Sequence, residues 1–374
     1  MKKLSLLLAL VLLLTVAGCR KQEDPPEVEK PPVEELEDPA PQGPLQLDEL
    51  RLEITRYDGD TALVLRAARE LPDLLQRYFA EVEAPVEIGK VRVTVGSSAG
   101  ATAQSLAQGG IDLAFLPAET IALSGDARVL LGNAPQPAIR PHGDSRDVAD
   151  WNDSEKSYVA GHGIWSGGTM ALLCAAPTEY GRQLANRAES GKALTWEELD
   201  RARWGVLEAT SDGGYRCADL YLADNYEGDR ISDLSNVTVY DSYEELLRAA
   251  AEETVDVIVL RADARMDVAA AWTLELGRAD KNGVQGFART KPVWEEVRCL
   301  AVTETLYTTV AAVAPEQEDL TGEAFCAALA EVLERLYDEE PELMGALGSA
   351  HFAPIEDEDL DALRRTLTIE GRTA

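Results

Sequence analysis

Two short stretches of the chain carry hydroxyl groups and glycines where a strand turns into a helix. The first, "VGSSAGAT", contains Ser97 and Ser98, and the second, "EATSDGGY", contains Thr210 and Ser211. A helix start presents unpaired backbone N–H groups and the positive end of the helix dipole, and hydroxyls can add further donors. One such turn from each of two lobes, facing across a cleft, would bind a tetrahedral anion. The same residues are also common helix N-caps, so the pattern alone leaves both interpretations open.

Five further residues are candidates for the same site. Gly213 and Gly214 would let the backbone approach a ligand closely. Arg261 follows the apolar run "VDVIVL" at the carboxyl end of a strand, and it could pair with an oxyanion or only with a surface acid. Tyr215 could form a cleft wall or pack against its own helix, and the hydroxyl of Tyr243 could donate a hydrogen bond.

The elements that must position these residues alternate between strands and helices. "LRLEIT", "KVRVTVG" and "IDLAFLP" predict strands, "ATAQSLAQGG" predicts a helix, and "TALVLRAARELPDLLQRYFAEV" predicts a helix interrupted at Pro72. The alternation restarts at "GTMALLCAAP" and runs through "NVTVYDS", "YEELLRAAAEETVD" and "VDVIVLRAD". This order predicts an α/β protein of two lobes, each a mainly parallel sheet flanked by helices, with a cleft between them.

The start of the chain predicts export. Lys2 and Lys3 precede an apolar run that is short for a membrane span, and the run ends in "VAGC" at Cys19. "VAGC" resembles the bacterial lipobox, which predicts cleavage before Cys19 and lipidation of this residue; an ordinary secretory signal with an incidental cysteine is the alternative. The acidic, proline-rich string that follows predicts a disordered tether without packed structure.

These sequence patterns predict five segments of the chain. They are a signal peptide at 1–18, a lipid-anchored linker at 19–46, the first part of lobe 1 at 47–170, lobe 2 at 171–300, and a return to lobe 1 with carboxyl-terminal helices at 301–374.

Composition excludes several classes of function. The 374 residues include 35 basic and 67 acidic side chains, a net charge of −32, which argues against a nucleic-acid partner and against attraction to an anionic membrane surface. The three histidines, His142, His162 and His351, have no metal-ligand spacing, and no nucleophile elbow or P-loop occurs. We therefore expect no catalytic activity, no cofactor and no metal.

Four cysteines remain beyond Cys19, and none shows a CxxC spacing. Cys174 and Cys299 lie in two apolar, strand-like runs and could be neighbours, whereas Cys217 and Cys326 lie elsewhere. An exported protein can form disulfides, but buried free thiols fit the pattern equally well.

Several segments, in order, resemble the phosphate/phosphonate-type substrate-binding proteins of ABC transporters. The resemblance is carried by "VRVTVGSSAGATAQSLAQGGIDLAFLPAETIAL", "ALTWEELDRARWGVLEATSDGGYRCADLYL", "VYDSYEELLRAAAEETVDVIVLRAD" and "GALGSAHFAPIEDEDLDALRRTL", and it covers Leu47 to Leu367. It implies a type II periplasmic-binding fold, a hinge between the lobes, and delivery of a small oxyanion to a membrane permease.

The chain departs from this family at two positions. Asp212 stands where the family usually has a hydroxyl in a Ser-Thr-Ser-Gly turn, and a carboxylate there would repel a phosphate unless it caps the helix or meets a cationic part of the ligand. Tyr243 stands where some members have a ligand-contacting histidine.

The expected function is that of a monomeric, lipid-anchored protein on the extracytoplasmic face of the cell membrane. It would bind phosphate, a phosphonate or a similar oxyanion and pass it to an ABC permease. Two alternatives stay open: a ligand-sensing subunit of a membrane receptor, and a non-catalytic surface scaffold with a degenerate cleft.

Overall fold

The computed structural model describes residues 44–55, 61–134, 136–137, 146–152 and 165–372. The predicted signal peptide, Cys19 and nearly all of the acidic linker lie outside these residues, as do His142 and His162. Among the helices of the described part, none is both long enough and apolar enough to cross a membrane.

Fifteen strands are found in the described residues. In chain order they are β1 Leu45–Leu47, β2 Leu50–Thr55, β3 Val86–Ile88, β4 Val91–Gly96, β5 Leu113–Pro117, β6 Arg128–Asn133, β7 Gln136–Pro137, β8 Trp165–Ser166, β9 Ala171–Ala175, β10 Trp204–Val206, β11 Val237–Val239, β12 Val257–Arg261, β13 Arg298–Val302, β14 Thr309–Val313 and β15 Phe352–Pro354.

The α-helices of the same residues connect and cover these strands. They are α1 Thr61–Phe79, α2 Ala99–Ala107, α3 Ala118–Ser124, α4 Val148–Asn152, α5 Glu179–Glu189, α6 Trp196–Asp200, α7 Cys217–Asn225, α8 Tyr243–Ala251, α9 Arg265–Val268, α10 Val293–Glu296, α11 Glu323–Glu339, α12 Pro341–Leu347 and α13 Asp361–Ile369. A π-helical turn, Asp212–Arg216, leads directly into α7, and short 3₁₀ turns occupy Ile231–Asp233 and Asp357–Leu360.

Two sheets organise the molecule. The first has six strands in the order β15-β6-β14-β5-β2-β4, and the second has five in the order β11-β10-β12-β9-β13. We call each sheet with its helices the first and the second lobe. The predicted α/β class with two helix-flanked sheets is confirmed.

Each sheet is mixed: most of its strands run in one direction, as expected, and a minority run the opposite way. Strand β2 runs parallel to β4 and β5, and β10 runs parallel to β11 and β12, as the strand–helix alternation predicted. In contrast, β14 is antiparallel to β5 and β6, and β9 is antiparallel to β12 and β13. Strands β9 and β14 begin just after the chain crosses from one sheet to the other, and they enter their sheets from the end opposite to the local strand–helix units.

The helix α1 continues through Pro72, so the predicted interruption of this helix at Pro72 is wrong. Its buried residues recur every three or four positions, from Val64 through Leu71 and Leu75 to Phe79. Proline removes one backbone donor from a helix interior, but the apolar stripe on both sides packs against the first sheet and holds the helix together.

The two chain crossings between the lobes are bonded to each other. The N–H of Thr169 donates to the carbonyl of Leu306 at 2.7 Å, and the N–H of Leu306 donates back at 2.8 Å. One apolar core cluster contains Leu116 of the first sheet and Val259 of the second, together with Leu363 of α13. The crossings and α13 therefore tie the lobes together at the position next to the predicted site.

Candidate functional site

The second predicted turn is the π-helical turn that follows β10. Ser211 precedes it, and its Oγ accepts a hydrogen bond from the N–H of Gly214 at 3.2 Å. The Ser211 carbonyl accepts from the N–H groups of Tyr215 at 2.9 Å and Arg216 at 3.0 Å, which closes the wide turn. The first amides of a helix have no acceptor within that helix, so this turn has the donor-rich start that the sequence predicted.

Four of the predicted residues meet at this turn, and we call them the Ser211 cluster: Ser211, Gly213, Tyr243 and Arg261. A Cβ built on Gly213 would lie 2.8 Å from the Cβ of Arg261 and 3.1 Å from the hydroxyl of Tyr243. The Ser211 side chain lies near enough to the Tyr243 hydroxyl to lower the pKa of the tyrosine. The guanidinium carbon of Arg261 lies 5.5 Å from the centre of the Tyr243 ring. Residues from β12, α8 and the turn thus converge although they are up to 50 positions apart.

The cluster can donate hydrogen bonds at neutral pH. Burial raises the pKa of Tyr243, although the nearby Ser211 side chain and the charge of Arg261 act in the opposite direction. Tyr243 therefore keeps its proton. Arg261 forms an ion pair with Asp267, and 27% of the Arg261 side chain is exposed. This is the surface ion pair that the sequence left open as the alternative to a ligand contact. A ligand would have to compete with or join this pair.

The first predicted turn lies at the start of α2 in the first lobe. Ser98 is the N-cap, its Oγ accepting from the N–H of Ala101 at 3.2 Å, and both Ser97 and Ser98 are exposed. Within the described part of the chain, neither serine shares a hydrogen bond with the Ser211 cluster or lines the cavities named below. That the two turns face one ligand stays a prediction.

The remaining predicted residues have other neighbours. Thr210 and Tyr215 line a cavity of about 370 Å³ beside the turn, together with paired arginines and acids. Gly214 packs against Leu207, whose Cγ would lie 2.6 Å from a Cβ at this glycine. The structure therefore brings four predicted residues into one cluster, places two beside it, and uses Gly214 for close packing.

An ion-pair network centred on Arg216 occupies the wall of that cavity, and sequence reasoning missed it. Arg216 contacts Asp212 at 2.7 Å, Glu370 at 2.7 Å and Glu119 at 3.1 Å. Glu119 belongs to α3 of the first lobe, so this contact joins the two lobes directly. The spacing of Asp212 and Arg216 is the i,i+4 signal of a helical ion pair, but the other partners are distant in the sequence.

Charges in the network depend on one another. Burial opposes the charge of Arg216, but the carboxylates of Glu370 and Asp212 outweigh it and raise the arginine pKa. Burial raises the pKa of Glu119, yet Arg372 and Arg216 outweigh this effect and hold it below its usual value. Burial also raises the pKa of Asp212, and Arg216 opposes that rise. The Asp212 carboxylate, which the sequence flagged as repulsive to an anion, is thus held by Arg216.

A larger cavity, of about 690 Å³, lies near the chain crossings and is separate from the predicted residues. Gly167, Thr305 and Tyr307 line it from the crossings, and Asp359 and Arg365 line it from the segment around α13. In the described residues, no group of three or more histidine, cysteine or acidic side chains could hold a metal ion.

Comparison with known proteins is informative at the level of the family. The family model described as "ABC transporter, phosphonate, periplasmic substrate-binding protein" matches residues 68–360. No curated protein matches the chain.

Three similar solved structures are distant in sequence. XAC2383 from Xanthomonas citri bound to ATP is 14% identical with a TM-score of 0.40, and the match covers 88% of this chain and 100% of that one. PhnD1 from Prochlorococcus marinus in complex with methylphosphonate is 10% identical with a TM-score of 0.35, covering 87% and 99% of the two chains. A binding protein component of an ABC phosphonate transporter from Pseudomonas aeruginosa is 10% identical with a TM-score of 0.34, covering 86% and 87%. At these values no residue role is transferred from them.

Proposed function

Since the chain belongs to the periplasmic substrate-binding proteins of phosphonate ABC transporters, we propose that it captures a small oxyanion at the Ser211 cluster and delivers it to an ABC permease. The observation that carries this proposal is the convergence of Tyr243 and Arg261 on the turn at Gly213, a position where a Cβ would collide with the Cβ of Arg261. The family is one of transport components rather than catalysts, and the cluster contains no nucleophile paired with a base.

The chemistry of the cluster suits phosphate or a phosphonate. A tetrahedral oxyanion accepts several hydrogen bonds, which Ser211, Tyr243 and the amides at the start of the π-helical turn can donate. Arg261 adds a charged donor, and bonds between a guanidinium and an oxyanion are stronger than bonds between neutral groups. Gly213 lets Arg261 and Tyr243 approach the turn closely, because a Cβ at this position would collide with them.

The other predicted residues would take part in binding from the first lobe and from the rim of the turn. Ser97 and Ser98 would contact the ligand from the first lobe after closure about the bonded crossings at Thr169 and Leu306. Thr210, Gly214 and Tyr215 would shape the rim of the turn. Action as a monomer, and anchoring through lipid on Cys19, rest on the sequence and belong to the same proposal.

Ligand titration of the full-length exported protein tests this function. We expect one solute among phosphate, methylphosphonate, sulfate and amino acids to raise Tm saturably by about 3–5 °C near 100-fold excess over Kd. Arg261→Gln should weaken binding of that solute by about 10- to 100-fold, because a charged hydrogen bond contributes roughly 1.5–3 kcal/mol. Tyr243→Phe should weaken it less.

Arg278→Gln is the matched control, because this arginine is on the same lobe, 72% exposed, and pairs only weakly with Glu275 at 3.6 Å. It should bind the solute like the wild type. Equal affinity of the Arg261→Gln and Arg278→Gln variants would contradict the assignment of the cluster. Absence of any Tm shift across the oxyanions would contradict the oxyanion class.

A further inference from the structure

Two cysteines of the second lobe lie directly opposite each other. Cys174 on β9 and Cys299 on β13 are paired in the register of these antiparallel strands. Both side chains belong to the same buried core cluster, with 0% and 1% exposure. The Sγ of Cys299 donates to the carbonyl of Ala301 at 3.3 Å, and Cys299 lies near enough to Cys174 to raise the pKa of that thiol.

The backbone bonds around the two cysteines identify the kind of strand pair. The N–H of Cys299 donates to the side chain of Asn152 at 2.7 Å, and the carbonyl of Cys299 accepts from Asn152 at 3.0 Å. The polar backbone groups of Cys299 therefore point away from β9. On the other side of β9, the N–H of Ala176 donates to the carbonyl of Asp256. Backbone groups of residues two positions apart point to the same side of a strand. The N–H and carbonyl of Cys174 therefore also point towards β12 and away from Cys299.

Cys174 and Cys299 consequently form a non-hydrogen-bonded cross-strand pair. In such pairs the Cα atoms are about 4.5 Å apart and the side chains approach most closely. Disulfides require Cα atoms about 4.4–6.8 Å apart. The register, which shifts at a β-bulge between Cys299 and Ala301, thus keeps the two cysteines opposite each other in a pair type that a disulfide can join.

We propose that Cys174 and Cys299 are joined by an intramolecular disulfide in the exported protein. The family acts outside the cytoplasm, where disulfides form and persist. Two S–H bonds break and one S–S bond forms; the two electrons and two protons released reduce the disulfide of an extracytoplasmic thiol oxidant to a dithiol. Because burial raises the pKa of Cys174 well above its usual value, the bond forms while the chain folds, before the core closes.

The other two cysteines provide an internal control. Cys217 is buried in a different core cluster, where its Sγ donates to the carbonyl of Thr169 at 3.4 Å. Cys326 packs against the core of the first lobe, and its Sγ donates to the carbonyl of Leu130 at 3.4 Å. Neither is paired with a cysteine in the strand registers, so both should remain thiols.

The bond would join β9 to the edge strand β13. The first of these strands follows the crossing at Thr169, and the second leads into the crossing at Leu306. A covalent link between them would hold together the two strands from which both chain crossings leave the second lobe.

Alkylation and peptide mapping of the full-length exported protein test the proposal without any substitution. The protein is denatured, treated with iodoacetamide without reductant, and digested after glutamate, because trypsin leaves Cys299 and Cys326 on one peptide that runs from Cys299 to Arg335. We expect the Cys174 and Cys299 peptides to be cross-linked and to separate only after reduction. The Cys217 and Cys326 peptides should be alkylated at once.

A second measurement compares stability. Reduction should lower the wild-type Tm by roughly 5 °C or more, because the link closes a loop of more than 120 residues. The Cys174→Ala, Cys299→Ala double variant should show no effect of reduction, whereas Cys326→Ala should behave like the wild type. Alkylation of both Cys174 and Cys299 in the unreduced exported protein, or a cross-link that includes Cys217 or Cys326 instead, would overturn the proposal.

Discussion

At the scale of single residues, the glycine of the Ser211 cluster is a tightly constrained position. Gly213 is buried, and the space that a Cβ would need is taken by the Cβ of Arg261, the hydroxyl of Tyr243 and the methyl group of Thr169. The sequence indicated a glycine needed for close approach of a ligand. The structure shows that close approach of three protein groups requires the same glycine.

Gly213→Ala should therefore both destabilise the fold and weaken oxyanion binding. Overpacking of one methyl group costs about 1–3 kcal/mol, and relief of the collision would move Arg261 or Tyr243. Urea unfolding gives the change in stability, and calorimetric titration with the solute that raises Tm gives the change in affinity.

Gly100→Ala is the control for this substitution, because a Cβ at Gly100 meets nothing within 4 Å and the residue lies in helix α2. Its stability should be unchanged or slightly higher, since alanine favours a helix more than glycine does. If Gly213→Ala matched Gly100→Ala in both measurements, the tight packing of the cluster would be refuted.

At the scale of elements, each of the two lobes has a hydrogen-bonded Asp–Arg pair at the start of a central strand. In the first lobe, the Asp112 carboxylate accepts from the backbone N–H of Arg51 at 2.7 Å and from its Nε at 2.9 Å. In the second lobe, Asp256 accepts from the same two groups of Arg203 at 3.0 and 2.9 Å. Each aspartate also donates its own N–H to the carbonyl of that arginine. The aspartates in the "IDLAF" and "VDVIV" segments therefore join neighbouring strands.

These two Asp–Arg pairs, which we call clamps, should make the stability of the fold decrease at acid pH. Burial raises the pKa of Asp112 and Asp256, but the arginine bonds outweigh burial and hold both pKa values below the usual range. A carboxyl with a lowered folded-state pKa contributes stability above its unfolded pKa, near 4, and loses it as the pH falls through the folded pKa. Unfolding free energy of the wild type should thus decrease below about pH 4.

Asp112→Asn and Asp256→Asn should each lower stability by about 1–3 kcal/mol at pH 7 and should flatten this acid dependence. Asp357→Asn removes an exposed partner of Arg364 and should change stability by less than about 0.5 kcal/mol. Urea unfolding at pH 3.5, 5 and 7 checks all three variants. An acid dependence of the two buried-site variants as steep as that of the wild type would contradict the role of the clamps.

At the scale of the whole molecule, Arg216 connects parts of the chain that belong to different lobes. It ends the π-helical turn that leads into α7 of the second lobe, yet it bonds Glu119 of α3 and Glu370 after α13. Only 11% of its side chain is exposed. Because the contact with Glu119 exists when the lobes touch, it stabilises that arrangement relative to one with the lobes apart.

Arg216→Gln should shift the molecule towards separated lobes. The substitution leaves Asp212 and Glu119 without their shared cation, and we expect a larger radius of gyration in small-angle scattering and a stability loss of about 1–3 kcal/mol. Arg364→Gln is the matched control, because the partners of Arg364 in the described residues, Asp357 and Asp361 at 2.8 Å, lie within seven positions of it in the sequence. Equal radii and equal stabilities for the two variants would show that Arg216 does not hold the lobes together.

Much of this protein could be predicted from the sequence, because the relevant properties are local. Alternation and helical spacing of apolar residues predicted most strands and helices, and the hydroxyl-glycine turns at Ser98 and Ser211 are indeed helix starts. The tertiary structure decided what is paired across long separations: the antiparallel entry of β9 and β14, the meeting of Tyr243 and Arg261 at Gly213, and the contact of Arg216 with Glu119. Such contacts depend on where the chain crosses between two sheets, and the residue pattern of a single segment does not contain that information.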